Sequence, residues 1–424
     1  MNMKLGNSKL VLLIGFLLLF SMISAGSLFA QEDVTLEVWS WRTEDVEAYE
    51  EILDEFEEEN PHITVEFEAY KNTEYNTVLA TALEGGKGPD VMQLRAYGGL
   101  QRYVPFLMPL DGKVTALDEF SDSAIASATG RKDGRVYGVP FADQVLGIYY
   151  NREIFEQHGL EEPDTWDEFL NVCETLKEND VTPLANAGGA GWMLEIMFGA
   201  FGPNFYGGND FYEQILEGEA TFEDPAYLEA LDKLTELTTY MPRGYMGIDY
   251  ESQQAQFYTE QAAMFVGGSF EAGYFQSESP DMDIGVFPAP PPAEGDPVYV
   301  GTWADGSYGV NADTDHSEAA LKLVRFMATT EFGEMFMNRT KQISSVPGVE
   351  PDREQVPVLA QFTDMLAENH PTPYLMLVEF RYDSPGGSEL LQEALEKLMG
   401  DRITPEEAAS IVQDGLEEWY EPFE

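Results

Sequence analysis

The stretch from Gly134 to Phe169, GRVYGVPFADQVLGIYYNREIFEQHGLEEPDTWDEF, constrains the chain most, because a strand-like run gives way there abruptly to helix. Gly134 to Tyr137 reads as a turn leading into a strand, Pro140 to Asp143 breaks the pattern, and Val145 to Tyr150 is apolar enough to be a buried strand. Asn151 can cap a short helix over Glu153 to His158 that Gly159 ends. Thr165, with Glu168 three residues on, has the spacing of a capping box. A strand redirected at a proline and a polar pair is what a chain does on leaving one α/β lobe for another, which makes Ala142 to Gln144 a hinge.

The flanking sequence fits that division. VTLEVWSW from Val34 predicts a first strand, and the helix Glu44 to Glu58 puts Val46, Tyr49, Ile52, Leu53 and Phe56 on one face. NPHITVEFEAY is a turn and a second strand. The helix Asn72 to Glu84, a glycine-rich loop and the strand Asp90 to Leu94 follow. Strands alternating with helices pair in parallel and build a three-layer α/β lobe. The loop Gly85 to Pro89 precedes a strand and lacks a following Lys-Ser or Lys-Thr, so it is no phosphate loop. Beyond the hinge the chain is mostly helical from Arg152 to Phe222, with further helices at Tyr227 to Leu237 and Ser317 to Thr329. Ile284 to Pro288 predicts an edge strand and Tyr299 to Val310 a return strand into the first lobe.

GVPF, YYNREIFEQHGL and PDTWDEF, taken with Trp41 after the first strand, F-x-x-x-NP-x-I-x-V, GPDV, FEDPAYLEAL and GDRITPEEA, stand here in one order. In these motifs, over essentially all of Val34 to Trp419, the chain resembles the bacterial extracellular solute-binding proteins of the large sugar-binding family, the receptors of ABC importers. The resemblance implies an α/β fold, a two-lobe periplasmic-binding-protein clamp of three-layer lobes joined by a multi-crossing hinge. It places lobe 1 at 31–142 plus 300–343, lobe 2 at 144–299 plus 345–424, and the hinge near 142–146, 299–302 and 343–348. The implied partners are a carbohydrate ligand and the membrane permease subunits of an importer, with the receptor a monomer that carries no cofactor.

Candidate ligand residues follow from the same comparison. Trp41 and Arg42 follow the first strand, where the family places ligand-facing residues; packing inside the lobe is the alternative for Trp41. Arg95 and Tyr97 hold the corresponding place after the third strand. Asp143 and Gln144 lie in the hinge and can hydrogen-bond a sugar from the cleft floor, or merely cap a turn. Trp192 adjoins a glycine-rich loop, and Phe270 stands where many relatives carry a stacking Trp, with Ser269 before it a further candidate. Trp303 and Asp305 are placed to reach the cleft, and Arg381 and Asp383 either do so or form a surface salt bridge. Aromatics make up 12% of the chain, more than cores alone usually require. Rings pack on the C–H faces of sugars, whose hydroxyls need planar polar partners.

Other classes fare worse. Carboxylate pairs could hydrolyse glycosides, but among 77 acidic residues no spacing singles out an acid and a nucleophile. His62, His158, His316 and His370 are scattered, giving no metal site, and no G-x-S-x-G occurs. Cys173 lies in the apolar pattern of a helix and reads as a small buried hydrophobe. Arg42, Arg95 and Arg381 leave open a phosphorylated or polyol ligand such as a glycerol phosphodiester. Lys4 and Lys9, the apolar run Leu10 to Ile23 and Leu28-Phe29-Ala30 read as a signal peptide over 1–30, cut at Gln31. No cysteine follows it for lipid attachment, which implies a periplasmic protein released from the membrane.

A formal net charge of −54 argues against nucleic acid and anionic membrane as partners. The acid is dispersed, as in EEILDEFEEE from Glu50, and reads as solvated helix faces. We take the excess as an adaptation to salt, which screens such self-repulsion. The melting temperature is expected to rise steeply from low to molar salt; a flat response in a thermal denaturation series contradicts that hypothesis.

Overall fold

The computed structural model describes residues 33–423; the signal peptide expected at 1–30 lies outside them. Strand β1 (Val34–Ser40) buries Leu36, Val38 and Ser40 on one face, the alternation its sequence carries. It pairs in parallel with β2 (Ile63–Ala69) on one side and β3 (Val91–Arg95) on the other. Parallel neighbours need crossovers. The helices Val46–Glu59, burying Tyr49, Ile52, Leu53 and Phe56, and Asn72–Glu84, burying Tyr75, Leu79 and Leu83, supply them.

Strand β4 (Val139–Asn151) is the axis of the molecule. β5 (Thr182–Leu184), β6 (Ala262–Gly268), β7 (Ile284–Phe287), β8 (Tyr299–Val310), β9 (Ile343–Ser344) and β10 (His370–Pro373) complete one sheet. Its order is β2-β1-β3-β8-β4-β6-β5, with β10 beside β8 and with β7 and β9 beside β4. The expected break at Pro140–Asp143 is absent, because β4 continues through it. Register shifts on either side of Ala142 absorb the proline, since a bulge is where a strand tolerates a residue without an N–H.

Two groups of cores divide the sheet. Val139, Phe141 and Ala142 of β4 join Leu36, Tyr49, Tyr308 and Phe336 in the first lobe. In the second lobe, Leu146, Ile148 and Tyr150 face a core with Trp166, Phe169 and Phe201, while Val145 and Tyr149 face another with Phe257, Phe265 and Phe275. Burial on both faces explains why this part of β4 is a continuous apolar run. Core membership changes between Ala142 and Val145 in β4, between Val300 and Tyr308 in β8, and again between Ile343 and Val346. Val300, on the early part of β8, packs in the second lobe.

Local signals hold in detail. Asn151 Oδ1 accepts from the Ile154 amide at 3.0 Å, and Thr165 Oγ1 accepts from the Glu168 amide at 3.3 Å. Glu168, however, reaches the Asp164 amide instead of that of Thr165, leaving the box half-formed. Thr404 and Glu407 make both arms of one. Cys173 is fully buried, and burial pushes its thiol pKa up.

Phe141 is wholly buried, with ring centroids 5.0 Å from Tyr308, 5.8 Å from Trp41 and 5.9 Å from Phe336. Phe141→Ala is expected to cost about 3–5 kcal/mol in denaturant unfolding, the range for emptying a packed aromatic site.

Candidate functional site

A row of rings lines the second lobe beside the passage between lobes. Trp192, at the start of the helix Gly191–Tyr206, is 36% exposed and lies 4.7 Å from Tyr250 and 6.3 Å from Phe270. Phe270, on the turn that ends β6, lies 6.4 Å from Trp303, which is 6.1 Å from Tyr374. Trp192, Phe270, Trp303 and Tyr374 thus form one continuous series of rings, apolar faces of the kind on which a flat C–H surface can pack.

The floor is polar and deeply set. Gln144 is 1% exposed and pairs across the sheet with Trp303. Its Oε1 accepts from Ser269 Oγ at 2.9 Å, and Ser269 Oγ accepts from the Val145 amide. The Gln144 Nε2 is buried without a hydrogen-bond partner among the described residues. Asp143 accepts from Ser345 Oγ at 2.9 Å, and burial pushes its carboxyl pKa up to about 6. Asp143 and Gln144 thus both sit in strand β4, not in a turn that they cap.

Sequence reasoning missed two buried acids and the groups that bond them. Glu271, buried beside Phe270, accepts from Tyr250 Oη at 2.5 Å and from Gln254 Nε2 at 2.6 Å, and burial pushes it up to about 7. One glutamate among 77 acids carries no distinguishing spacing. Glu195 is also buried, with Gln392 Nε2 donating to its Oε2 at 2.6 Å and its Oε1 unpartnered. A lone acid within the apolar helix WMLEIMFGAFG was a legible signal.

The first lobe contributes differently from expectation. Trp41 is 2% exposed, wedged between Tyr75 and Phe141, and the Arg95 guanidinium covers its ring at 3.9 Å. Its place is the lobe core, because it packs against Phe141 of β4, and Arg95 is the group presented outward. Burial pulls Arg95 down to about 10, with Asp305 opposing the shift and Arg381 and Arg42 reinforcing it. Arg42 is paired with Asp45 and, at 3.3 Å, with Glu44. Tyr97 is buried at φ +54°, with its Oη accepting from the Ala304 amide at 3.4 Å. Arg381 is exposed and donates to Ser388 Oγ at 3.2 Å, while Asp383 accepts from its neighbour Ser384. They make no salt bridge with each other; each is taken up by its own loop.

Among the described residues no group of three or more His, Cys, Asp or Glu is arranged to hold a metal ion. None of their helices is long and apolar enough to cross a membrane.

Residues 39–334 match the model of the family described as bacterial extracellular solute-binding protein. The chain is similar to a multiple sugar-binding protein of Streptococcus mutans, 27% identical over 363 residues that cover 82% of this chain and 84% of the relative. It is likewise similar to an ABC transporter extracellular-binding protein of Pyrococcus horikoshii, 27% identical over 70% of each chain. Among solved structures, a chitin oligosaccharide binding protein superimposes with a TM-score of 0.76 at 25% identity, covering 91% of this chain and 98% of the other.

Asp143 and Glu271 keep protons in the folded chain at pH values where the unfolded chain has lost them. The folded state therefore binds more protons between about pH 4 and pH 7, and stability falls as pH rises through that window. Glu271→Gln is expected to flatten the decline between pH 4.5 and 7, read from denaturant midpoints at both values; an unchanged slope contradicts the assignment.

Proposed function

The chain belongs to the bacterial extracellular solute-binding protein family, and from that premise we propose that it is the sugar receptor of an ABC importer, closing its two lobes on an oligosaccharide or glycoside. The family is one of solute-binding proteins and not of enzymes, so the activity is capture without chemistry. The observation that carries the sugar reading is the row Trp192, Phe270 and Trp303 set beside the orphan donor Gln144 Nε2. Rings supply apolar faces, and a buried donor left without a protein partner is open to a ligand hydroxyl and supplies orientation. The names of the Streptococcus relative and of the chitin-oligosaccharide structure support the same class.

Binding then proceeds by population shift. The ligand stabilises the closed arrangement by as much as it binds that arrangement better than the open one. Phe270, Trp192 and Trp303 hold the sugar faces, while Gln144, Ser269 and Asp143 meet hydroxyls from the floor. Arg95, backed by Trp41, with Arg42, Asp305 and Tyr97 approaches from the first lobe. Arg381 stands at the edge, and Asp383 is the weakest member. The membrane permease subunits receive the closed monomer. The segment 1–30, read as a signal peptide cut near Gln31, fits action outside the cytoplasmic membrane. A phosphorylated ligand is less well supported, because Arg42 is already engaged by Asp45 and Glu44.

A thermal-shift screen of residues 31 to 424 in molar salt, against mono-, di- and trisaccharides, polyols and glycerol phosphodiesters, tests this. A ligand at 100 times its Kd adds about 2.7 kcal/mol, a shift of a few degrees. Phe270→Ala and Trp192→Ala are each expected to weaken binding of the responding sugar roughly tenfold, the equivalent of about 1.4 kcal/mol of lost ring packing. Stabilisation by the phosphodiesters alone sinks the sugar reading, and unchanged affinity in both variants sinks the wall.

A further inference from the structure

The lobes also touch away from the aromatic row. Gly98 follows Tyr97 in the first lobe, and a Cβ built on it would lie 2.0 Å from the carbonyl oxygen of Arg381 and 2.4 Å from its carbonyl carbon. Those are backbone atoms with no flexible end to swing aside. The loop that carries them, from Phe380 to Gly386, is fastened to the second lobe. Phe380 is fully buried with its ring 4.8 Å from Tyr420, the Pro385 carbonyl accepts from Trp419 Nε1 at 2.8 Å, and the Gly387 amide donates to the Phe380 carbonyl at 2.6 Å.

Two further contacts flank this approach. Ala96, Tyr97 and Ala304 form a small buried cluster against Trp303, Val378 and Tyr382. The Arg131 guanidinium, from the first lobe, lies 4.4 Å over the Tyr382 ring. Beside them opens a cavity of about 660 Å³ whose wall is Asp111 to Val136 of the first lobe together with Glu379 and Tyr382 of the second. Because both lobes line it, its shape depends on the angle between them. Tyr97 holds a positive φ that a non-glycine residue rarely adopts, and such strain persists where surrounding packing fixes it.

We infer that the Phe380–Gly386 loop seated on Gly98, with Arg131 over Tyr382, is a latch between the lobes, and that Gly98 is the positioning residue that sets how closely they approach. The latch shares Trp303, Tyr97, Arg381 and Asp383 with the ligand site proposed above, but Arg381 meets Gly98 through its backbone carbonyl, so the contact forms without a ligand. It raises the population of the closed arrangement and thereby the apparent affinity, since affinity scales with the binding-competent fraction. A side chain at position 98 props the lobes apart.

The inference rests on the two-lobe closure proposed above, yet its main test needs no sugar, so an error in the ligand class leaves it readable. Spin labels on cysteines replacing the exposed Glu58 and Glu278 report interlobe distance in the full chain, the native Cys173 being buried. Gly98→Val is expected to lengthen and broaden that distribution. Arg131→Ala, which removes a surface cation–π contact, is expected to do so less and to weaken binding of the sugar found in the screen by roughly two- to fivefold. An unchanged distribution in Gly98→Val means the loop yields instead of the lobes, and overturns the inference. Should that variant fail to fold, Arg131→Ala and Tyr382→Ala decide: longer distances uphold the latch and wild-type distances overturn it.

Discussion

The antiparallel pairing of β4 with β8 carries both lobes at once. From Val139 opposite Tyr308 to Val145 opposite Thr302, the two strands run side by side through the passage, and every other strand attaches to one of them directly or through a neighbour. On the function proposed here, hinge and binding floor are the same residues. Gln144 faces Trp303 in register and Asp143 faces Ala304, so a change in twist of this ribbon moves a polar floor group and a wall ring together. The register shifts around Ala142 disrupt the ladder at one place, which is where a long buried strand can bend without exposing backbone. Closure in clamps of this kind is absorbed by a few such positions.

Charge acts on the two lobes in opposite ways. The surface is strongly acidic, and its ion pairs, such as Arg353 with Asp364 and Lys397 with Glu393, are exposed and individually weak. Bringing two acidic lobes together is opposed by their mutual repulsion, which salt relieves. Inside, the acid is handled otherwise: burial raises Asp143, Glu195 and Glu271 toward their neutral forms, so they do not add to that repulsion. Of the first lobe's cations near the passage, Arg42 is taken up by Asp45 and Glu44 and Arg95 lies over the Trp41 ring. The repulsion that opposes closure therefore comes chiefly from the outer faces and not from the buried Asp143, Glu195 and Glu271.

The fold was legible because its periodicities are strong. Alternation in β1, the apolar run after Val145 and the faces of the flanking helices fix strands, crossovers and two lobes without tertiary knowledge. Pro140 misled because a proline inside a strand normally ends it, and only the partner strand β8 allows the bulge that accommodates it. Trp41 misled for a similar reason. A ring at a strand end looks exposed until Arg95, more than fifty residues on, folds over it. Tyr250, Gln254 and Glu271 carry ordinary side chains that become one network only when β6 and its turn bring them together.

Selectivity in such a cleft comes less from the rings than from what they leave unsatisfied. A stacked ring accepts many sugars, because every pyranose has an apolar face, and it discriminates by fit alone. The Gln144 Nε2 is different: a buried donor without an acceptor costs about 1–3 kcal/mol, and a ligand hydroxyl that meets it recovers that cost while one pointing elsewhere does not. Ser269 fixes the amide by donating to its Oε1, so the unsatisfied donor has one direction in which to look. A site built to hydrogen-bond a hydroxyl rejects the analogue that lacks it far more strongly than an apolar pocket rejects a missing methylene. On the proposed reading the rings favour sugars as a class, and this one oriented amide, held on the strand that runs through both lobes, ties the choice of sugar to the motion that closes over it.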